Sequence, residues 1–360
     1  MGCNMSVNHN RLHGLDFCRA VFMILGLFLH VGLIYGVDQN WRVISNETSG
    51  FVSSISDFIH MFRMEAFYLI SGFFYLLVFS KGRSGFARDR VYRALIPLLF
   101  CGFLINPLMD VYSYNRDYDW SSLEYWLQGQ WLAHLWFLGN LIVYFIISLP
   151  ICKWINNSKD ISRTTLLLLF YVGIPIIAII GVVFGKVTYN GTFLFISFAK
   201  LFNYYPYFII GCFCFRNKEV FLSILNIRGF IISFCFFSFL FFLSQLNIFS
   251  GESISKTLGY LSTGSLMISM IALTYYLGAK DSRLIRSFSD SSYTIYILHQ
   301  PLIIFFYVVL FQNVSWGSII EYMLLICSVF ITAYIFHIFC VKKSRTLKFL
   351  FNGVLTSNSK

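Results

Sequence analysis

About ten apolar runs, each about as long as a bilayer is thick, constrain this 360-residue chain more than any other feature. A helix needs about 20 apolar residues to cross the hydrocarbon core, and a segment in lipid must pair its backbone N–H and C=O groups internally. Only 12% of the residues are charged, whereas a soluble domain averages about 25%. The chain is therefore predicted to be an all-α polytopic membrane protein, a bundle of about ten transmembrane helices. The predicted spans cover residues 15–36, 56–79, 91–109, 134–151, 164–184, 193–215, 228–247, 257–278, 288–310 and 317–340.

The charges in the short connections predict the orientation of this bundle. Basic residues dominate the connections after the second, fourth, sixth and eighth spans and the region after the tenth, whereas the connection after the third span is mainly acidic. By the positive-inside rule the basic side faces the cytoplasm, so both termini are predicted to be cytoplasmic. Residues 1–350 are predicted to form a single transmembrane domain, and residues 351–360 a short cytoplasmic tail.

The first apolar run carries ionisable side chains that a helix surrounded by lipid would lack. Asp16, Arg19 and His30 all lie within it. A charge at the bilayer centre costs roughly 2.5–3.5 kcal/mol on insertion scales, so such residues are usually retained for function. Arg19 and His30 are eleven positions apart (30 − 19), close to three turns, and Asp16 precedes Arg19 by three, so all three share one face. The pattern predicts an inward polar face, with the Arg19 cation and the His30 imidazole about 16 Å apart along the helix axis.

The second run has a similar set of polar residues in its outer half. Asp57, His60 and Arg63 are predicted near the membrane interface, but Glu65 lies further in. A carboxyl group at that depth must be protonated, paired or facing a water-filled cavity. A chemical role for Glu65 and a structural pair with Arg63 or another helix are both open on the sequence alone.

A dense group of arginines precedes the third span, and it includes Arg90 and Arg93. These two are three positions apart and share a helical face. Positive-inside anchoring would explain them, but arginine is also the residue best suited to bidentate phosphate contacts. The second interpretation is therefore that these arginines and Arg19 form a binding site for a phosphorylated cytosolic molecule.

Two more spans carry histidines. His134 and Trp136 open the fourth span from outside, where an interfacial tryptophan is expected in any case. His299 lies near the middle of the ninth span and precedes Pro301, so it is predicted either to bond the carbonyl groups that a proline frees or to take part in chemistry. No metal site is predicted, because the cysteines are isolated from other ligand-type side chains.

In this order and spacing, the polar residues resemble the motifs of integral-membrane acyltransferase family three. Each motif alone is weakly specific, but their order from the first to the ninth span is strongly so. The motifs are Arg-x10-His at Arg19 and His30, Ser-Gly-Phe at 71–73, Arg-x-x-Arg at Arg90 and Arg93, His-Leu-Trp-Phe-Leu at 134–138, and Tyr-x-x-His-x-Pro at Tyr296, His299 and Pro301.

The resemblance implies transfer of an acyl group from cytosolic acyl-CoA to a hydroxyl group of a glycan outside the membrane. Arg19, Arg90 and Arg93 are then expected to bind the phosphates of acyl-CoA, which is a donor substrate and not a permanently bound cofactor. His30 and Glu65 are expected to be catalytic, and His30 suits either a general base or a residue that is itself acylated. Residues expected to bind substrate or support the site are Asp16, His60, Arg63, His134, Trp136 and His299.

Longer matching stretches resemble one branch of that family, which transfers succinyl groups to osmoregulated periplasmic glucans. They cover residues 15–20, 33–35, 57–64 and 347–351. This likeness implies a succinyl-CoA donor, a periplasmic glucan acceptor and a location in the bacterial inner membrane. No match is found for residues 110–130, which belong to an outer connection expected to touch the acceptor.

Two other functions are compatible with a buried polar face. One is O-acetylation of another cell-envelope glycan by the same chemistry. The other is a proton-coupled transporter or flippase, because intramembrane His, Glu and Arg also form proton relays. A transporter predicts inverted repeats and broken helices at mid-depth, and the sequence shows neither beyond Pro206 and Pro301.

Overall fold

The chain folds as a bundle of long helices in the computed structural model, which describes residues 12–37, 41–82, 84–112, 120–174, 176–177, 180, 192–245, 252–280 and 282–354. The first half contains α1 (His13–Tyr35), α2 (Gly50–His60), α3 (Arg63–Phe79), α4 (Phe86–Phe100), α5 (Asn106–Val111), α6 (Leu123–Leu127), α7 (Trp136–Asn156) and α8 (Arg163–Leu168). The second half contains α9 (Phe198–Arg216), α10 (Lys218–Ile224), α11 (Ile227–Gln245), α12 (Glu252–Leu277), α13 (Arg283–Phe306), α14 (Ser318–Phe336) and α15 (Arg345–Asn352).

Short irregular elements extend or connect these helices. One turn of π-helix continues each of α4, α8, α13 and α14, and a 3-10 helix at Gln130–Leu135 leads into α7. Two strands of two residues, β1 (Thr192–Phe193) and β2 (Ile196–Ser197), form a small antiparallel hairpin before α9.

The predicted fold class is confirmed. Within the described residues, eight helical segments are long and apolar enough to cross a membrane. The predicted span 164–184 overlaps the helix that starts at Arg163, and its residues 175, 178–179 and 181–184 lie outside the described residues. The predicted span 193–215 overlaps α9, which begins at Phe198. The second span is broken where the sequence predicts one helix, because α2 ends at His60 and α3 begins at Arg63.

Helix α1 lies in the interior of the bundle. It packs against α2, α3, α12, α13 and α14, and most of its side chains are buried. A helix that is surrounded by other helices has no face in contact with lipid, so it needs no separate polar and apolar faces. The polar residues of α1 therefore point to protein and not to lipid.

Close approach of α3 and α9 depends on two glycines. A methyl group at Gly72 would overlap the carbonyl oxygen of Phe208, and one at Gly211 would overlap the carbonyl oxygen of Leu69. Small residues allow this kind of backbone contact between membrane helices, where van der Waals packing is a main driving force. The contact between α3 and α9 therefore requires glycine at both positions.

We expect Gly72→Ala and Gly211→Ala each to lower the free energy of unfolding by about 1–3 kcal/mol, because the added methyl group meets backbone that cannot move alone. Thermal unfolding in detergent measures this change. Gly259→Ala in α12 is the matched control, because the added methyl group meets no atom of another described element within 4 Å. Equal destabilisation by all three substitutions would contradict the packing argument.

Candidate active site

Arg19, Arg90 and Arg93 line a single cavity of about 280 Å³. Arg19 comes from α1 and the other two from α4, so residues 71 positions apart in sequence (90 − 19) share one wall. The cavity lies at the end of the bundle that the positive-inside pattern assigns to the cytoplasm. Its remaining walls combine apolar rings with polar groups of α13 and the C-terminal segment: Phe67, Phe74, Phe137, Phe145, Ser289, Asp290, Tyr293, Asn352 and Val354.

Asp16 and Phe74 both contact the Arg19 guanidinium group. Its Nη2 atom lies 3.2 Å from Oδ1 of Asp16, and its central carbon lies 5.2 Å from the centre of the Phe74 ring. Asp16 is thus placed where it can orient Arg19. About a third of the Arg19 side chain stays exposed, so the cation is oriented yet accessible.

The segment after α15 closes one side of this cavity. Gly353 has a φ of +57°, and a methyl group there would overlap the backbone of Tyr92 and Arg93. Phe351 is buried, with its ring centre 5.3 Å from that of Phe100 in α4. Residues 351–354, which the sequence places in a tail, therefore pack against the fold.

A cluster of three histidines occupies the other end of the α1 polar face. His30 of α1 lies with its ring centre 5.2 Å from that of His299 in α13. The His299 ring centre is in turn 4.6 Å from that of His134, which belongs to the 3-10 helix before α7. Three separate elements thus bring together residues that the sequence singles out individually.

Hydrogen bonds fix the two inner rings. Nε2 of His134 lies 3.0 Å from the carbonyl oxygen of Ile297, and Nδ1 of His299 bonds the carbonyl oxygen of Tyr296. The Tyr296 hydroxyl donates to the carbonyl oxygen of His134 at 2.8 Å, which links α13 to the start of α7. His30 contacts the side-chain amide of Gln300, with 3.2 Å between Nδ1 and Nε2.

His30 is the accessible member of the cluster. His299 and His134 are 0% and 2% exposed, whereas His30 is only partly buried and stacks on Trp41 with 5.9 Å between ring centres. A reacting molecule from outside would therefore meet His30 first. Among the described residues, no group of three His, Cys, Asp or Glu has the arrangement of a metal site.

The backbone before His134 is unusual. Ala133 has a φ of +46° and a ψ of −118°, in the region that L-residues seldom adopt. Such a conformation costs of order 1–3 kcal/mol and persists only where surrounding structure enforces it. It occurs where the 3-10 helix turns the His134 ring toward α13.

A second, smaller cavity lies beside the arginine cavity on the side toward the histidine cluster. Met23, Phe67 and Phe137 line both cavities, and the smaller one also reaches Arg63 and Tyr296. The Tyr296 ring centre is 5.4 Å from that of His134. Apolar residues therefore separate the two polar centres along the inner face of α1.

Arg63 carries its positive charge into the middle of this region. It is 6% exposed, and Gly26 of α1 makes room for it, because a methyl group there would overlap Nη1. Among the charged groups around His30, Arg63 has the strongest electrostatic interaction with its imidazole.

The other residues predicted for the site lie elsewhere. Glu65 interacts with Tyr204 and Tyr207 of α9, and it lines neither the arginine cavity nor the smaller one. Trp136 faces α9 as well, with Nζ of Lys200 4.1 Å from its ring centre. His60 is exposed at the end of α2. None of the three lines either cavity, and their predicted roles stay predictions.

Sequence reasoning missed an ion pair on the outer side of the cluster. Nε of Arg42 lies 3.0 Å from Oδ1 of Asp110, and the Tyr125 hydroxyl donates to the other carboxylate oxygen at 2.6 Å. Both charged side chains are almost fully buried. Arg42 stands outside any periodic segment, so no spacing rule selects it.

Comparison with known proteins identifies the family of this chain. A family model described as an acyltransferase domain matches residues 12–338. The chain belongs to this acyltransferase family. It is therefore a multi-pass membrane acyltransferase, and the arginines and histidines of its two polar centres lie within the matched region.

Relatives of this acyltransferase match it over nearly its whole length. Glucans biosynthesis protein C of Escherichia coli O157:H7 is 29% identical over 373 residues, covering 95% of this chain and 94% of the relative. Glucans biosynthesis protein C of Salmonella typhimurium strain LT2 is 27% identical over 377 residues, covering 97% and 96%. No solved structure matches this chain.

We expect the Gly26 and Arg63 positions to be energetically coupled. Gly26→Ala should destabilise this acyltransferase, and the loss should be smaller by at least about 0.5 kcal/mol in an Arg63→Lys background, since lysine lacks the atom that the methyl group would strike. A double-mutant cycle of thermal unfolding in detergent measures the coupling. Strictly additive effects would show that the Arg63 side chain does not depend on the space at Gly26.

Proposed function

We propose that this acyltransferase moves a succinyl group from cytosolic succinyl-CoA to hydroxyl groups of periplasmic glucans, from a position in the bacterial inner membrane. The observation that carries the proposal is the presence of an arginine-lined cavity and a histidine cluster along the same helix, α1, with Met23, Phe67 and Phe137 lining both the arginine cavity and a smaller cavity that reaches Tyr296. One centre suits a phosphorylated donor, and the other suits removal of a proton from an alcohol.

The arginine cavity supplies the features that a CoA head group requires. Three guanidinium groups converge on it, and guanidinium binds phosphate oxygens bidentately and with charge assistance. The phenylalanine rings of the same cavity offer stacking and apolar contact. An alternative role as a topology signal does not explain why the three side chains line one cavity.

The apolar residues between the two centres suggest a path for the arm that carries the thioester in this proposal. Met23 is four residues after Arg19 and seven before His30 on α1, and it lines both cavities. A flexible arm threaded past Met23, Phe67 and Phe137 would travel the roughly 16 Å that separate the two polar centres along α1. Apolar walls there would also exclude water and so limit hydrolysis of the donor.

At the histidine cluster, His30 acts as general base in this proposal. It takes the proton from the acceptor hydroxyl as the new C–O bond forms and the thioester C–S bond breaks, and the proton then passes to the departing thiolate. The Arg63 charge lies close enough to act on His30, and it would favour the negative charge that develops on the carbonyl oxygen. His134 and His299 hold the surrounding backbone and amide in place.

The choice of acceptor rests on the relatives, whose names state a role in glucan biosynthesis. Succinylation would convert a neutral glucan into an anion. The product would therefore separate from its precursor by charge alone, which gives the proposal a direct assay.

We expect Arg90→Gln with Arg93→Gln to weaken succinyl-CoA binding by more than about 100-fold, because each charge-assisted hydrogen bond contributes about 1.5–3 kcal/mol and 1.4 kcal/mol is tenfold. Binding of labelled donor to purified protein measures it. Lys342→Gln with Arg345→Gln removes two exposed charges near the same end and is the matched control. If the two double variants bind succinyl-CoA with equal affinity, Arg90 and Arg93 serve only as topology signals.

We expect His30→Ala to abolish transfer while donor binding is kept, because general-base catalysis is typically worth about 10²–10⁴-fold. The assay incubates purified protein with labelled succinyl-CoA and neutral glucan, and anion-exchange chromatography separates the product. His60→Ala, at an exposed imidazole, tests whether a loss is specific to His30. Transfer by His30→Ala at the wild-type rate would remove the histidine cluster from the mechanism. Transfer of acetyl but not succinyl groups would identify an O-acetyltransferase instead.

A further inference from the structure

We propose that Gln300 is a positioning residue whose side-chain amide holds the His30 imidazole with its proton on Nδ1. Nε2 of His30 is then the nitrogen with a free lone pair, available to the acceptor hydroxyl. The inference rests on the proposed function, in which His30 removes the acceptor's proton.

Backbone carbonyl groups determine the proton positions on the two inner rings. A carbonyl oxygen only accepts hydrogen bonds, so Nε2 of His134 must donate to Ile297 and Nδ1 of His299 must donate to Tyr296. In a neutral imidazole the other nitrogen is then an acceptor. Nδ1 of His134 and Nε2 of His299 are both buried and lack a hydrogen-bond partner among the described residues.

The amide of Gln300 lies between His30 and His134. It contacts Nδ1 of His30 and also interacts with His134. When the amide nitrogen faces His30, two acceptors have no hydrogen-bond donor among the described residues: Oε1 of Gln300 itself and Nδ1 of His134. Two buried acceptors would then be unsatisfied, and burial of an acceptor without a hydrogen bond is destabilising.

Rotation of the amide by 180° satisfies both of these acceptors. Oε1 then accepts from Nδ1–H of His30, and the NH₂ group donates to Nδ1 of His134. The chain of hydrogen bonds runs from His30 through Gln300 and His134 to the carbonyl oxygen of Ile297. Because the Ile297 carbonyl permits only one proton position on His134, it also determines which way the amide points and hence which nitrogen of His30 is basic.

The opposite arrangement is incompatible with a base at His30. If Nδ1 of His30 accepted from the amide, its only lone pair would be used there, and Nε2 would carry a proton. That nitrogen would be unable to take another from the acceptor. The proposed chemistry therefore requires the amide oxygen to face His30.

Gln300→Met and Gln300→Glu separate positioning from packing. Both variants remove the donor to His134, but only glutamate keeps an acceptor for Nδ1–H of His30. We expect Gln300→Met to lower kcat about 10²-fold, at the lower end of the range for general-base catalysis, with KM for succinyl-CoA unchanged. We expect Gln300→Glu to keep more activity than Gln300→Met.

The pH dependence gives a second readout that a packing role would not change. The charged and titratable groups that act on His30 are Arg63, His134, Arg42, His60 and the adjacent His299, and neither variant alters them. A carboxylate at 300 favours the protonated imidazole, so the acid limb of the pH–rate profile should move to higher pH in Gln300→Glu. Gln312→Met, at an exposed position beyond the same helix, is the control for introducing methionine.

Each outcome separates this inference from the proposed function. Wild-type kcat in Gln300→Met, together with an inactive His30→Ala, would overturn the role of Gln300 and leave the proposed function standing. Transfer by His30→Ala would overturn the function itself. If Gln300→Met fails to fold, the pH–rate profile of Gln300→Glu provides the test. An acid limb at the same pH as in the wild type would contradict contact between the carboxylate and His30.

Discussion

The whole arrangement depends on the exclusion of water from the surroundings of α1. A polar group inside a membrane bundle has no solvent partner, so its hydrogen bonds and charges must be satisfied by protein or by a ligand. The polar residues of α1 find their partners on the five helices that pack against it. Phe74 contacts Arg19, and Arg63 fills the space beside Gly26. The side-chain amide of Gln300 contacts His30. In the arginine cavity three cations share one space, where a bound anion would add to the negative charge that Asp16 supplies to Arg19.

The same constraint explains which parts of the site are predictable from the sequence. Ionisable residues are rare in hydrocarbon, so Arg19 and His30 are conspicuous, and helical geometry alone is enough to put them on one face. Arg90 and Arg93 follow from their local density. The fold class follows from the length of the apolar runs, since backbone in lipid has few alternatives to the helix.

What spacing could not predict is how separate helices meet. His134 reaches His299 because Ala133 adopts a positive φ. An alanine gives no sign of this conformation, which is typical of glycine. Glu65 is as conspicuous as His30 by depth, yet the rotation of α3 directs it toward Tyr204 and not toward the cluster. The break between α2 and α3 is equally unmarked in the sequence, because neither Met61 nor Phe62 is a proline or a glycine.

The contact of Gly353 with the backbone of Arg93 has a consequence for how the protein is made. The arginine cavity has one wall from α1 and another from a segment more than 300 residues later, and a ribosome supplies these at opposite ends of synthesis. Helices α1 and α4 can enter the membrane early, but the space between them stays open until the segment that contains Asn352 and Val354 has left the ribosome. A chain interrupted before α15 would therefore be inserted and helical while lacking a closed cavity, so quality control that senses only insertion would not distinguish it from the finished enzyme.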